Sequence, residues 1–163
     1  MIDSSELVGL IQLLLGAHGP STWPANVPWP MHQAIAEFRV DLASTRTLGL
    51  TQSIDVVPCP GLGLKVEGLD GAVDELQFLG QLSLHDCGFY SFWSVTAGCI
   101  PEYRRRVMRS DPAEAALLHC AAHRWSALAA TSLKNVRTAV ESSGSTSRSA
   151  TPMRRQLVAP ALR

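Results

Sequence analysis

Residues 3–17 read DSSELVGLIQLLLGA, and this run constrains how the rest of the chain is arranged. Asp3 can cap a helix, and Glu6, three residues on, can complete a capping box. A helix is therefore expected from Asp3 to about Ala17, where Gly19-Pro20 ends it. Its apolar side chains, from Leu7 and Val8 through Leu13 and Leu15, cover most of the circumference. A helix apolar nearly all round lies either at the centre of a core or in an interface. In a single domain of this size the pattern favours an interface for part of it, with Leu7, Leu10, Ile11 and Leu14 as docking side chains.

The same run bears on location. Gly9 and Gln12 interrupt it well short of the twenty or so apolar residues that a membrane span needs. Asp3 and Glu6 stand where a secretion signal carries positive charge. An intracellular, cytoplasmic protein is expected, with Cys59, Cys87, Cys99 and Cys120 as reduced thiols. At 163 residues the chain can bury roughly 70% of its unfolded surface and needs neither disulfide nor metal to stay folded.

Outward from the first helix, residues 20–30 hold four prolines and the pairs Trp23-Pro24 and Trp29-Pro30. Such a connector is stiff and extended. Its two indoles either plug one end of the core, the more common arrangement, or present a recognition surface. A second helix is expected from Pro30 to about Ala43. Ile54 to Val57, a Pro58–Gly61 turn and Leu62 to Glu67 read as a hairpin, because Leu62, Leu64 and Val66 alternate with Gly63, Lys65 and Glu67. A third helix is expected from Asp70 to Leu82, and a core strand within the aromatic stretch from Gly88 to Ala97. Glu102 to Met108 reads as a short helix. Ser110-Asp111-Pro112 then opens the longest one, reaching about Val140. Leu118, Ala122, Trp125, Ala129, Val136 and Val140 fall on one stripe of it. The expected fold is α+β: one mainly helical domain over residues 1–140 with a small central hairpin or sheet and a long C-terminal helix. A flexible Ser/Arg-rich basic tail is expected over 141–163.

Charge is distributed unevenly. Up to Ile100 three cations face ten carboxylates, a net −7; from Pro101 eleven cations face four, a net +7. A basic C-terminal region points to an acidic partner or nucleic acid, or else the two halves neutralise each other. The side chains proposed to meet such a partner are Arg104, Arg105, Arg106 and Arg109, then Arg124, Lys134 and Arg137, and Arg154 and Arg155 on the tail.

Catalytic motifs are weak throughout. His119 and His123 are four apart, the spacing of a two-histidine zinc clamp, but Cys120 stands where a zinc protease would carry its general base. In His85-Asp86-Cys87, neighbours on an extended chain point to opposite faces and cannot form a catalytic relay. Asp70, Asp74 and Glu75 read as helix N-terminal charges. The expectation is a non-catalytic subunit or adaptor that works by protein–protein assembly or self-association, with Leu7, Leu10, Ile11, Leu14, Trp23 and Trp29 at the protein interface. Nucleic-acid binding is the first alternative, and a zinc-stabilised domain using His119 and His123 the second. No cofactor is otherwise expected.

Overall fold

A computed structural model describes residues 4–25, 29–50, 53–61 and 63–145. In chain order the elements are α1 (Ser4–Gly16), β1 (Thr22–Pro24), α2 (Pro30–Ala43), β2 (Val56–Cys59), β3 (Gly63–Val66), α3 (Leu69–Phe78), β4 (Leu82–Asp86), β5 (Ser91–Val95), α4 (Ile100–Met108) and α5 (Pro112–Ser145). The fold is α+β and mainly helical. Strands β1, β5 and β4 form an antiparallel sheet in that order, and β2 pairs with β3 in a separate hairpin. Among the described residues no helix is long and apolar enough to cross a membrane.

Helix α1 is the centre of the core. Every residue from Leu7 to Ala17 is buried except Gly9 and Gln12, which are half-buried, and α3, α4 and α5 all pack against it. The two interruptions belong to the face that takes α4. Gly9, Gln12 and Gly16 recur at helical spacing on one side of α1. A Cβ at Gly16 would stand 2.5 Å from the Tyr103 carbonyl carbon and oxygen, so only glycine lets α4 lie this close. Gln12 accepts from Arg106 Nη1 at 2.5 Å and donates to Gln81 Oε1 at 3.0 Å, and the Tyr103 hydroxyl also donates to Gln81. This chain of hydrogen bonds satisfies the polar groups where α1 and α4 meet, which burial would otherwise penalise.

The leucines expected to dock a partner are therefore core residues. Leu7, Leu10, Ile11 and Leu14 are all 0% exposed, and Trp23 is 2% exposed. The apolar circumference exists because three helices of the same chain cover it. Trp23 meets the fully buried Trp125 edge-on, with ring centroids 4.8 Å apart.

The connector expected to be stiff and extended contributes the edge strand β1, and its register explains how. Ala25 N–H donates to Ser91 O and Val95 N–H to Ser21 O, so residues 21, 23 and 25 hydrogen-bond towards β5. Pro24 falls at the alternate position, where its missing N–H faces the open edge. The hairpin obeys the same rule. Glu67 N–H donates to Asp55 O, so Pro58, opposite Leu64, is again at a non-bonded position and lies inside β2 instead of in the turn.

Helix α3 stops at Phe78, short of the expected Leu82. Gly80 has φ 71°, and Gly80 and Gln81 donate to the carbonyls of Gln77 and Leu76, a Schellman ending. Leu82 then starts a strand, β4. Strand β5 is the middle strand of its sheet, though half-buried along its length. Helix α5 opens as expected, with Asp111 Oδ1 accepting from Ala113 N–H at 2.9 Å and Pro112 as its first residue. It runs on to Ser145, so the first residues of the expected tail are helical. Residues 146–163, with Arg154 and Arg155, and the expected cap Asp3 lie outside the described residues.

Two substitutions measure this arrangement. Leu14→Ala should lower unfolding free energy by about 2–5 kcal/mol in urea titrations. Gly16→Ala should lower it by about 1–3 kcal/mol although it adds a good helix former, because the new methyl meets α4 backbone. A neutral Gly16→Ala would show that the α1–α4 contact is looser than described.

Candidate binding cleft

A concavity lined by aromatic and polar side chains lies where β1, the start of α2, α3 and β5 converge. It is a cleft of about 490 Å³, its open mouth included. Trp23, Trp29 and Trp93 line it, with Met31 and Val73 between them and the carboxylates of Asp70 and Asp74 on the α3 side. Trp23 and Trp93 are cross-strand partners on β1 and β5, which brings their side chains to one face of the sheet.

His32 forms the polar wall. It is 4% exposed, and both ring nitrogens are engaged. Nδ1 accepts from Val66 N–H at 3.1 Å, which requires the proton to sit on Nε2; Nε2 then donates to Asp70 Oδ1 at 2.9 Å. Val66 is at a non-bonded position of the hairpin, so its N–H points out of the β3 edge and the imidazole takes the place of a neighbouring strand. Asp70 Oδ2 pairs with Lys65 Nζ at 2.8 Å, and that ammonium also stands 5.0 Å from the centre of the Trp29 ring. Trp29 packs against His32, with centroids 4.9 Å apart.

These contacts set the proton affinities. Burial pushes the His32 pKa down, against the pull of Asp70. Asp70 is held below the usual carboxylate range: burial alone would raise it, but the hydrogen bond from Lys65 and the His32 ring outweigh that. A histidine beside an aspartate resembles half of a catalytic relay. Here the nitrogen that would face a nucleophile is occupied by backbone, and no Ser, Thr or Cys lines the cleft among the described residues. The geometry suits binding, with His32 and Asp70 as the scaffold that ties α2 and α3 to the hairpin.

The described basic side chains differ in their partners. Arg105 pairs with Glu102 on its own helix at 2.5 Å, and Arg106 is turned inward to Gln12. Arg124 makes two parallel bonds to Glu37, at 2.7 and 2.8 Å, an ion pair that joins the basic half to the acidic half. The pairing lowers the Glu37 pKa and raises that of Arg124. Arg104, Arg109, Lys134 and Arg137 have no carboxylate partner among the described residues. Arg109 precedes α5, whereas Lys134 lies roughly 33 Å along that helix from Pro112.

Of the expected metal ligands, His119 has Nδ1 at 3.1 Å from Ala17 O and its ring stacked on His18, while His123 is exposed one turn further on. Among the described residues no group of three or more His, Cys, Asp or Glu side chains is gathered for a metal ion. His85 Nε2 lies 2.7 Å from Ser94 Oγ across the strands. That pair stands on an exposed sheet face, and the neighbouring Asp86 carboxylate is used by Gly88 N–H in the turn. Sequence reading noted Trp23 and Trp29 but missed Trp93 and the His32–Asp70–Lys65 group. The only available hint was that Asp70, beyond its place in the first turn of α3, closely follows Lys65.

The His32 and Asp70 shifts have a definite sign. The fold holds His32 neutral, so as pH falls below 6.5 the unfolded chain takes up a proton that the folded one resists, and stability drops. The stability due to Asp70 is complete above 3.8, its ordinary value, and is lost lower still, as pH falls through the depressed folded value. Urea midpoints measured from pH 7.5 to 5 should decline, and His32→Gln, which cannot titrate, should remove part of that slope. An identical slope in the variant would show that His32 is not held neutral.

No protein-family model, curated protein or solved structure matches this chain, so its functional reading rests on the geometry above.

Proposed function

We propose that this chain is a non-catalytic subunit that assembles, in the first instance with a second copy of itself, through the C-terminal part of α5. One observation carries the reading. The stripe of α5 that enters the core runs through Leu118, Ala122, Trp125 and Ala129 to Ser132, and then burial stops. From Leu133 to Ser143 no side chain is buried, yet the same spacing continues through Val136 and Val140.

A segment of this length is marginal as an isolated helix in water. Valine, serine and glycine, all present here, are weaker helix formers than alanine. An apolar stripe on such an overhang is stabilised when another surface covers it. Lys134 and Arg137 flank the stripe, which favours an acidic counterpart, and the chain's own N-terminal hundred residues carry a net −7. Nucleic acid is the weaker reading, because Arg105, Arg106 and Arg124 are engaged by Glu102, Gln12 and Glu37, which leaves fewer cations for phosphate contacts.

Light scattering on the full chain tests this. A mass above the 17.6 kDa of one chain is expected at micromolar concentration, falling to one chain in Val136→Asp/Val140→Asp with the core still folded. A parent protein that stays monomeric at all concentrations overturns the reading.

A further inference from the structure

We propose that the cleft between Trp23, Trp29 and Trp93 is a binding site for a small organic cation of the quaternary-ammonium class. The inference is independent of assembly through α5, since none of the cleft residues lies on that helix.

Three indoles line one cavity, and an indole face that meets a weakly hydrated cation there attracts it. The chain already uses one of these rings in this way: Lys65 Nζ sits 5.0 Å from the Trp29 centroid. Charge selects the ligand further. Both oxygens of Asp70 are committed, one to His32 and one to Lys65, and its charge is offset by the ammonium. Asp74, one turn along α3, is exposed and has no cationic partner among the described residues. The cleft therefore carries one uncompensated negative charge beside apolar, aromatic walls. An anion would be repelled by it, and a neutral apolar guest would leave it unanswered. A primary ammonium would lose the water on three N–H donors when it enters walls of indole, Met31 and Val73, whereas a quaternary ammonium has no N–H donors to satisfy.

Fluorescence or NMR titration of the full chain with choline, and with its neutral isostere 3,3-dimethylbutan-1-ol, tests the proposal. Saturable choline binding is expected, with the isostere weaker by about tenfold. Asp74→Asn and Trp29→Leu should each weaken choline by about three- to tenfold while circular dichroism stays parental. Asp74 is exposed, so that arm remains readable if Trp29→Leu folds poorly. Equal affinity for the isostere, absence of a saturable choline response, or choline affinity unchanged by Asp74→Asn would each overturn the proposal.

Discussion

Enclosure of α1 is the constraint on which the other contacts depend. Seven aliphatic side chains between Leu7 and Leu15 lose their water only if helices approach from several directions, and α3, α4 and α5 do so. Each fully buried aliphatic side chain contributes about 1.5–3 kcal/mol, so this helix alone supplies much of the driving force for folding. Close approach of α4 needs a face without bulk, and Gly9 and Gly16 provide it. Gln12, between them, is tolerated because Arg106 and Gln81 satisfy its amide. What looks in the sequence like a flawed apolar helix is a helix with one face shaped for a neighbour.

Polar pairing at strand edges completes the scaffold. The two small sheets leave open edges, and the chain deals with them in different ways. Prolines at positions 24 and 58 point their missing donors where no acceptor waits. Val66 is the opposite case, a donor on an edge that needs a partner, and the His32 ring supplies one. Because the other ring nitrogen is tied to Asp70, one imidazole fixes the hairpin to α2 and to α3 at once. That rigidity leaves the three indoles of the cleft on a fixed frame, which is what a preorganised binding surface requires.

The opposed charges of the two halves neutralise each other at the Arg124–Glu37 pair, but a formal balance of charge is not a balance in space. Arg105 is occupied on its own helix and Arg106 by Gln12 of α1. Among the described cations without a carboxylate partner, Lys134 and Arg137 border the stretch where the apolar stripe outruns the core.

The sequence by itself determined the local elements whose signals are short-range. Pro30 and Pro112 mark helix starts, Asp111 caps α5, and the alternation around Leu64 and Val66 marks a strand. It misplaced the end of α3, because the Gly80 turn and the start of β4 at Leu82 carry an apolar pattern that a longer helix would share. It could not decide what covers Leu7 to Leu14, since an apolar surface looks the same whether its partner is the same chain or another. The tertiary structure decided that, and it assembled the cleft from residues 23, 29, 32, 70, 74 and 93. Nothing in linear spacing brings those positions together; backbone pairing of β1 with β5 and the His32 bridge do.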